Sequence, residues 1–314
     1  MGALQNVPPM RDVLLDIEPL DGVVPVNGSP AIAACTLLYQ EPFVRIQEWL
    51  DSLDSLNGLN GGDRFVVVTD GNRQESDPRG KFLSLGYNGG WTAGINLAAK
   101  EAAKAGYSYL LATNNDVEIL DASLVKGLLS AFEMHPDCAF ASPTIVFGHD
   151  HELVWYQGGK LIRNTWVTMH PGIGKRYRSG LPRIRQTDFF SGCCVLICLD
   201  RFLSLGGFDQ NLFMYFDEVD LSYRARKAEF GSYLVDIPML AHDKPGCYLN
   251  AVEGYYFGRN PYILIRKHAR GAKAIYAILV QLILLPIYLL RSRGFRARLR
   301  HLKGHLEGLA TWFW

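Results

Sequence analysis

Residues Tyr107–Ile119 read YSYLLATNNDVEI. An apolar run that stops at two asparagines and an aspartate is the pattern of a strand buried on both faces, handing polar side chains to the solvent at its carboxyl end. Upstream, Ala31–Leu38 (AIAACTLL) reads as a buried strand, and Phe43, Ile46, Leu50 and Leu53 then repeat at helical spacing. Arg64–Thr69 (RFVVVT) is a further strand, stopped by the turn signal Asp70-Gly71-Asn72. Lys81–Leu85 is a short strand, Trp91–Ala105 a helix, and Ala122–Met134 another. Strands and helices that alternate in this way predict an α/β fold with a mostly parallel central sheet and helices on both faces. In such sheets ligands bind beyond the carboxyl ends of the strands, which is where Tyr39, Asp70 and Asn114-Asn115-Asp116 fall.

From Cys138 the pattern breaks into shorter pieces, Leu153–Leu161, Trp166–Met169 and Cys193–Cys198, with a helix near Glu218, which predicts a mixed or antiparallel extension. His170–Gln186 (HPGIGKRYRSGLPRIRQ) is the stretch expected to form a mobile loop. With 314 residues, 48% hydrophobic and 20% charged, the chain has enough material for one large domain or for one domain plus an appendage. The six cysteines show no paired C-x2-C spacing, so buried thiols are expected.

The formal net charge of +1 conceals an uneven distribution. From Arg259 onward eleven basic residues face Glu307 alone, a net +10, which leaves −9 on the first 258 residues. Ala274–Leu290 (AIYAILVQLILLPIYLL) is seventeen residues without a charge. As a helix it reaches about 25 Å, short of a hydrocarbon core of roughly 30 Å, so a full span is marginal and an in-plane helix is at least equally favoured. Phe295, Leu299, Leu302, Leu306 and Leu309 then recur on one helical face among arginines, and Trp312, Phe313 and Trp314 end the chain. This predicts a membrane-surface segment over 274–314. A dry run of that length argues against nucleic acid as the partner. The first thirty residues lack an apolar signal-peptide core, so the body is expected to stay in the cytoplasm.

There is no phosphate loop of the G-x4-G-K-[ST] type, no G-x-G-x-x-G and no G-x-S-x-G after a strand, so carboxylates at strand ends remain as candidates for chemistry. Asp116 can hold a hard divalent cation, which takes oxygen ligands and completes its shell with water and phosphates; on spacing alone an Asx turn is an equal alternative. Asp217, Glu218 and Asp220 cluster at a helix start behind the aromatic turn Phe213–Phe216. Acids there can simply complement the helix dipole, or apolar surroundings can raise a carboxyl toward general-base work. His242 follows the strand-like GSYLVDIPML.

Together these pieces resemble the family 2 glycosyltransferases of the GT-A fold, most closely their rhamnosyltransferase-like branch. The resemblance runs from about Ala31 to His268. It rests on Thr36–Tyr39, Val66–Asp70, the N-x-G-F-x-x-G-x-N pattern as Asn88–Asn96 with Trp91 in the phenylalanine place, the D-x-D position as Asn114–Asp116, Ser191-Gly192, Gly206–Asp209, Asp217–Leu221, His242, and YYFGRNPYILIRKH at Tyr255–His268. It implies a Rossmann-like domain at 31–268, nucleotide-binding over 31–120 and acceptor-side over 121–268, between an extension at 1–30 and helices at 269–314. It also implies transfer of a sugar, with inversion, from a nucleotide diphosphate donor to a glycan or lipid-linked acceptor. Tyr39, Asp70, Asn88, Gly94, Asn96, Asn114 and Asn115 would line the nucleotide-sugar cleft, with Asp70 at the base. Asp116 and His242 would hold Mn²⁺ or Mg²⁺, and Glu218, Asp217 and Asp220 would form the catalytic acid cluster. Two departures stand out: the first D-x-D position is Asn114, and the acid motif reads D-E-x-D where E-D-x-D is usual, which leaves Asp217 and Glu218 both open as the base.

The implied setting is cell-surface polysaccharide assembly at the cytoplasmic face of a bacterial inner membrane, peripheral or monotopic, with dTDP-rhamnose the first donor expected and UDP-hexose or UDP-galactofuranose the alternative. A catalytically inactive GT-A binding module would be expected to lack acids, and Asp116, Glu218 and Asp220 are present. A nucleotidyltransferase would want a glycine-rich basic signature near the first strand, which CTLLYQEPF does not supply.

Overall fold

A computed structural model describes residues 31–59, 62–69, 75–180, 182–242 and 249–312. The extension expected at 1–30, Asp70, and Phe313 and Trp314 lie outside them.

The chain runs β1 (Ile32–Leu38), α1 (Val44–Asp54), β2 (Arg64–Val68), β3 (Lys81–Ser84), α2 (Gly90–Lys104), β4 (Tyr109–Thr113), β5 (Val117–Ile119), α3 (Leu124–Met134) and β6 (Cys138–Phe147). There follow β7 (Asp150–Tyr156), β8 (Lys160–Ile162), β9 (Val167–Met169), β10 (Ile184–Thr187), β11 (Cys194–Cys198), α4 (Leu199–Ser204), α5 (Asp217–Lys227), β12 (Gly231–His242), α6 (Ala251–His268), α7 (Ala272–Arg291) and α8 (Gly294–Ala310). The main sheet has the order β10–β12–β6–β11–β4–β1–β2–β3, with β5 added to β12 and β7 to β6. The half that carries β3, β2, β1 and β4 is parallel, β6 runs parallel to β12, and β11 is inserted antiparallel between β4 and β6.

Both faces of this sheet are covered, and the period-2 alternation of the strands decides which residue goes where. Ile32, Ala34, Leu38, Val66, Val68 and Leu111 pack under α1 and α3 on Ile46, Leu50, Leu53, Leu124 and Leu128. Ala33, Cys35, Phe65, Val67, Leu110 and Ala112 pack under α2, α4 and α5 on Ile95, Ala98, Ala102, Phe202 and Leu221. Each large apolar side chain so buried contributes on the order of 1.5–3 kcal/mol. Cys35, Cys138 and Cys194 are buried free thiols, and burial holds them far above the usual thiol range.

Two sequence expectations are revised. Cys138–Phe147 is one ten-residue strand buried throughout, pairing with β12, β11 and β7, where only short pieces were expected; Pro143 and the small residues around it disguise it. Leu153–Leu161 is two strands, broken at Gln157–Gly159. The described part of the glycine-rich stretch His170–Gln186 is tied down: Val154 and Lys175 pair main chain to main chain, Gly180 N donates to Asp236 Oδ2 at 2.7 Å, and its end forms β10.

The last three helices pack beside the turn that precedes α5. A third core of Trp166, Phe189, Leu212, Phe216, Tyr262 and Ile265 takes in Ala274 and Ala277 from α7. Helices α6 and α8 approach through glycines; a methyl group on Gly304 would stand 2.1 Å from the Tyr255 carbonyl oxygen, so only glycine fits there.

Candidate functional site

The carboxyl ends of β1 and β4 open into a cavity of about 180 Å³ lined by Thr36, Leu37, Tyr39, Glu41, Trp91, Asn114, Asn115 and Asp116. Asn115 Nδ2 donates to Leu37 O at 2.8 Å and joins the two strand ends. Tyr39 N donates to Glu41 Oε2 at 2.6 Å, which shapes the turn at the rim. The wall opposite is the first turn of α2. Asn88 Oδ1 accepts from Gly90 N at 3.2 Å, and Gly94 packs on Leu37, with a Cβ there 2.8 Å from Leu37 Cδ2. Gly90 has φ +65°, and a Cβ on it would meet Phe213 O at 2.5 Å, so the helix start and the aromatic turn touch only because the residue is glycine.

Three buried polar atoms, Trp91 Nε1 and Thr92 Oγ1 at this wall and Thr36 Oγ1 in β1, have no hydrogen-bond partner among the described residues. Leaving such a group unmatched costs on the order of 1–3 kcal/mol, and two of the three belong to residues lining the cavity.

Beyond Asn115 the chain forms β5, whose Val117 pairs with His242 at the end of β12. That register sets Asp116 Oδ1 3.3 Å from His242 Nε2 and Asn114 Nδ2 3.4 Å from the same nitrogen. His242 is 3% exposed and lies against the Trp155 ring at 4.7 Å, while Asp116 is 49% exposed and reaches the cavity. A carboxylate oxygen, an imidazole nitrogen and an amide that can present either end converge on one point. This donor set fits Mn²⁺ or Mg²⁺, which take few protein ligands and fill the remaining positions with water and phosphate oxygens. Among the described residues no cluster of three or more His, Cys, Asp or Glu side chains is placed to hold a metal, so a bound substrate would have to supply much of the shell.

The acids at the start of α5 divide by environment. Asp217 is 2% exposed and Asp220 fully buried, while Glu218 is half-buried. Burial pushes the carboxyls of the neighbouring Asp217 and Glu218 up, and the charge of Glu218 pushes Asp217 up further. The charge of Glu218 is felt at Tyr156. Asp220 goes the other way. His268 Nε2 (2.7 Å), Arg224 Nε (2.8 Å) and Lys267 Nζ (3.0 Å) surround it and hold its carboxyl well below the usual range despite burial. It is tied into an ion cluster that joins α5 to α6.

Asn96 is likewise built into the scaffold. Its Nδ2 donates to Phe208 O and its Oδ1 accepts from Phe208 N, both at 2.8 Å, at 4% exposure. Thus Tyr39, Asn114, Asn115 and Asp116 share one cavity and His242 stands behind Asp116 and Asn114; Asn88 and Gly94 shape its wall; Asn96 and Asp220 serve packing; and Asp70 lies outside the described residues. Sequence reading did not single out Glu41 or Thr36 as cleft residues, since each became visible only as the neighbour of a strand end. Trp91 falls within the Asn88–Asn96 segment that the resemblance puts at the nucleotide cleft, and it does line the cavity.

A second surface lies on the tail. Helix α7 is long and apolar enough to cross a membrane by length and composition. It turns Ile275, Leu279, Leu282, Ile283, Ile287 and Leu290 outward and buries Ala274, Ala277 and Gln281. Helix α8 does the same with Phe295, Leu299, Leu302 and Leu306 outward and Ala297, His301, Gly304, His305 and Gly308 inward. On a helix of 3.6 residues per turn, Arg296, Arg300 and Lys303 fall along the flank of that outward ridge.

No family model matches the chain. It is 28% identical over 203 residues to N-acetylglucosaminyl-diphospho-decaprenol L-rhamnosyltransferase of Mycobacterium tuberculosis (strains CDC 1551 and H37Rv), covering 56% of this chain and 64% of that protein. The chain thus spans less than two thirds of the relative's length. Among solved structures it is similar to GalNAc-T7 with UDP, GalNAc and Mn²⁺ (TM-score 0.57, 10% identity, 76% of this chain and 51% of that one). It is also similar to the mannosyltransferase PcManGT of Pyrobaculum calidifontis with GDP-Man and Mn²⁺ (TM-score 0.52, 11% identity, 92% and 82%). The fold is that of the GT-A glycosyltransferases, an α/β fold with helices around the central sheet and an apolar helix near the C-terminus, and the curated relative agrees with the rhamnosyltransferase-like resemblance.

Proposed function

We propose that this protein is an inverting family 2 glycosyltransferase that moves a sugar from a nucleotide diphosphate donor to a hydroxyl of a lipid-linked acceptor. The observation that carries the reading is the approach of His242 to Asp116 at a cavity that Asp116, Thr36 and Trp91 line, the last two with polar atoms unmatched among the described residues. The cleft binds the nucleotide, its base expected toward the end of β2 near Asp70, and Trp91 and Thr36 meet oxygens of the donor. A divalent cation held by Asp116 and His242 would supply neutralisation of the charge that develops on the departing diphosphate.

Glu218 acts as the base. Asp217, kept protonated by burial, donates to Glu218 and leaves that carboxylate free to take the acceptor proton. As the acceptor oxygen bonds to the anomeric carbon, the bond to the diphosphate oxygen breaks on the opposite face, the proton passes to Glu218, and nucleoside diphosphate leaves. One displacement gives inversion.

The tail supports a membrane setting, and its packing favours an in-plane helix. Gln281, midway along α7, donates to Thr165 O at 2.8 Å, beside buried Trp166. Were α7 to cross a bilayer, that contact would carry the β8–β9 loop into hydrocarbon, where irregular backbone exposed to lipid is not tolerated. An α7 lying in the interface, its outward face in lipid and its arginines at headgroup level, avoids this.

The test is a thermal-shift panel of dTDP-rhamnose, UDP-galactofuranose, UDP-glucose and GDP-mannose with Mn²⁺, followed by transfer to a polyprenyl-diphosphate N-acetylglucosamine. We expect one nucleotide class to stabilise the protein in a metal-dependent way, dTDP first. A protein indifferent to every nucleotide sugar would end the proposal.

A further inference from the structure

Three bulky residues ahead of the carboxyl pair, Phe213, Tyr215 and Phe216, have φ of 66°, 63° and 64°. Side chains with a Cβ avoid that region, and a turn carrying three such residues persists only where its surroundings over-determine it. Phe216 is the residue from which α5 departs, so its backbone angles set where Asp217 and Glu218 point.

Helix α6 supplies the grip. Fully buried Asn260 shares the two N–H hydrogens of its amide among the carbonyls of Leu212 (3.0 Å), Met214 (2.9 Å) and Tyr215 (2.8 Å). Arg259 Nε donates to Asn260 Oδ1 at 3.0 Å, which fixes the amide with its NH2 toward the turn. From the same helix, Glu253 accepts from the Tyr215 hydroxyl at 3.0 Å, Tyr256 stacks on Phe213, and Phe257 meets Phe216 edge-on. Glu253 is itself held by the capping box it forms with Asn250.

We propose that Asn260 is a positioning residue, which holds the Phe213–Phe216 turn in its strained form and so aims the Asp217–Glu218 pair at the reacting centre. The proposal rests on the reading of that pair as the base for glycosyl transfer. It explains Arg259-Asn260, a part of the YYFGRNPYILIRKH segment without an assigned role, because one amide stands in for the hydrogen bonds that a regular helix or strand would have given these carbonyls.

The test compares wild type with Asn260→Ala and Tyr215→Phe in the full chain, using the nucleotide sugar that wild type turns over and titrating intact donor sites with the matching nucleoside diphosphate and Mn²⁺. Because a small misplacement of a catalytic group can cost about a hundredfold in rate, kcat per titrated site should fall by that order in Asn260→Ala. Donor KM should stay within about threefold, and the acid limb of the pH profile should move, since the pair's surroundings change. Tyr215→Phe, which leaves the main-chain clamp in place and removes one hydroxyl, should fall several-fold and serves if Asn260→Ala does not accumulate. Hydrogen exchange over 213–218 should rise in either variant, a readout that needs no turnover. Unchanged kcat per site with an unmoved pH profile, or unchanged exchange over 213–218, would overturn the positioning role. Full activity in Glu218→Gln and Asp217→Asn would instead remove the reading of the pair as base and leave the clamp as an architectural fact.

Discussion

Nε2 of His242 stands 3.3 Å from Oδ1 of Asp116, and the pairing of β12 with β5 is what brings them together. Asp116 is half exposed and outside the core, so Asp116→Asn should leave stability within about 0.5 kcal/mol of wild type. Turnover should fall by roughly 10²–10³-fold, the scale seen when a preorganised charge at a reacting group is removed. Chelator should abolish wild-type activity and Mn²⁺ or Mg²⁺ restore it. The check is kcat and the melting temperature side by side; a variant that turns over normally takes Asp116 out of the mechanism.

Trp91 offers a cleaner contrast, because its indole N–H is buried and unmatched in the free protein. Trp91→Phe keeps the ring and deletes the donor. Stability should hold or rise slightly, while donor KM should rise about tenfold, the equivalent of one hydrogen bond to a charged oxygen. A melting temperature that drops with KM unchanged would mean the indole serves packing.

The coupled carboxyls give a pH prediction with a definite sign. A base works only when ionised, and burial pushes the Glu218 carboxyl up, so the acid limb of kcat should lie above the ordinary glutamate range. Activity should therefore be lost from a higher pH downward than a solvated glutamate would give. Glu218→Gln should lose more than about 10²-fold, the usual contribution of a general base, whereas Asp217→Asn retains a hydrogen-bond donor toward Glu218 and should stay within about tenfold. The reverse order of the two variants would assign the base to Asp217.

How much of this was legible beforehand depends on the range of the interactions. β1, β2, β4 and α2 were read to within two residues, because a strand buried on both faces and a helix with a small apolar face are local patterns. β6 was missed: its pairing with β12, β11 and β7 makes it a strand, and Pro143 in its middle speaks against one locally. Asn114–Asp116 could be placed at a strand end from YLLATNNDV alone. By contrast, Asn96 and Asp220 look like site residues in sequence and are consumed by Phe208 and by Arg224, Lys267 and His268, most of them partners far along the chain. The unmatched atoms of Thr36 and Trp91 had no local signature, since lacking a partner is a property of the whole packed structure.

The tail is best probed by point charges, because α8 is locked to α6 through Gly304 and removing it would strip the helix that grips the acid turn. Ile283 is 73% exposed and Leu299 50%, both on the outward faces. Burying each in lipid is worth about 1.5–3 kcal/mol, so Ile283→Glu and Leu299→Glu should each weaken sedimentation with anionic phosphatidylglycerol vesicles by about tenfold or more. Added salt should weaken wild-type binding by screening its arginines, with soluble folding unaffected. Equal sedimentation of wild type and the double variant would refute membrane docking through this surface.

His301 and His305 lie one turn apart on α8, stacked at 5.1 Å and almost fully buried, and the Nε2 atoms of both lack partners among the described residues. Burial lowers both to about 4 from the ordinary 6.5, and His170 likewise. The unfolded chain therefore takes up protons below pH 6.5 that the folded chain refuses until about pH 4. Stability is complete above the unfolded value and is lost as pH falls through this window, by on the order of 3 kcal/mol per histidine at its lower end. The melting temperature should fall steadily from pH 6.5 to pH 4.5, and His301→Phe, which keeps a ring against Tyr288, should flatten that slope. A variant with the same slope as wild type would show that α8 admits water to these rings, and that the α6–α8 seam is looser than its glycine contacts imply.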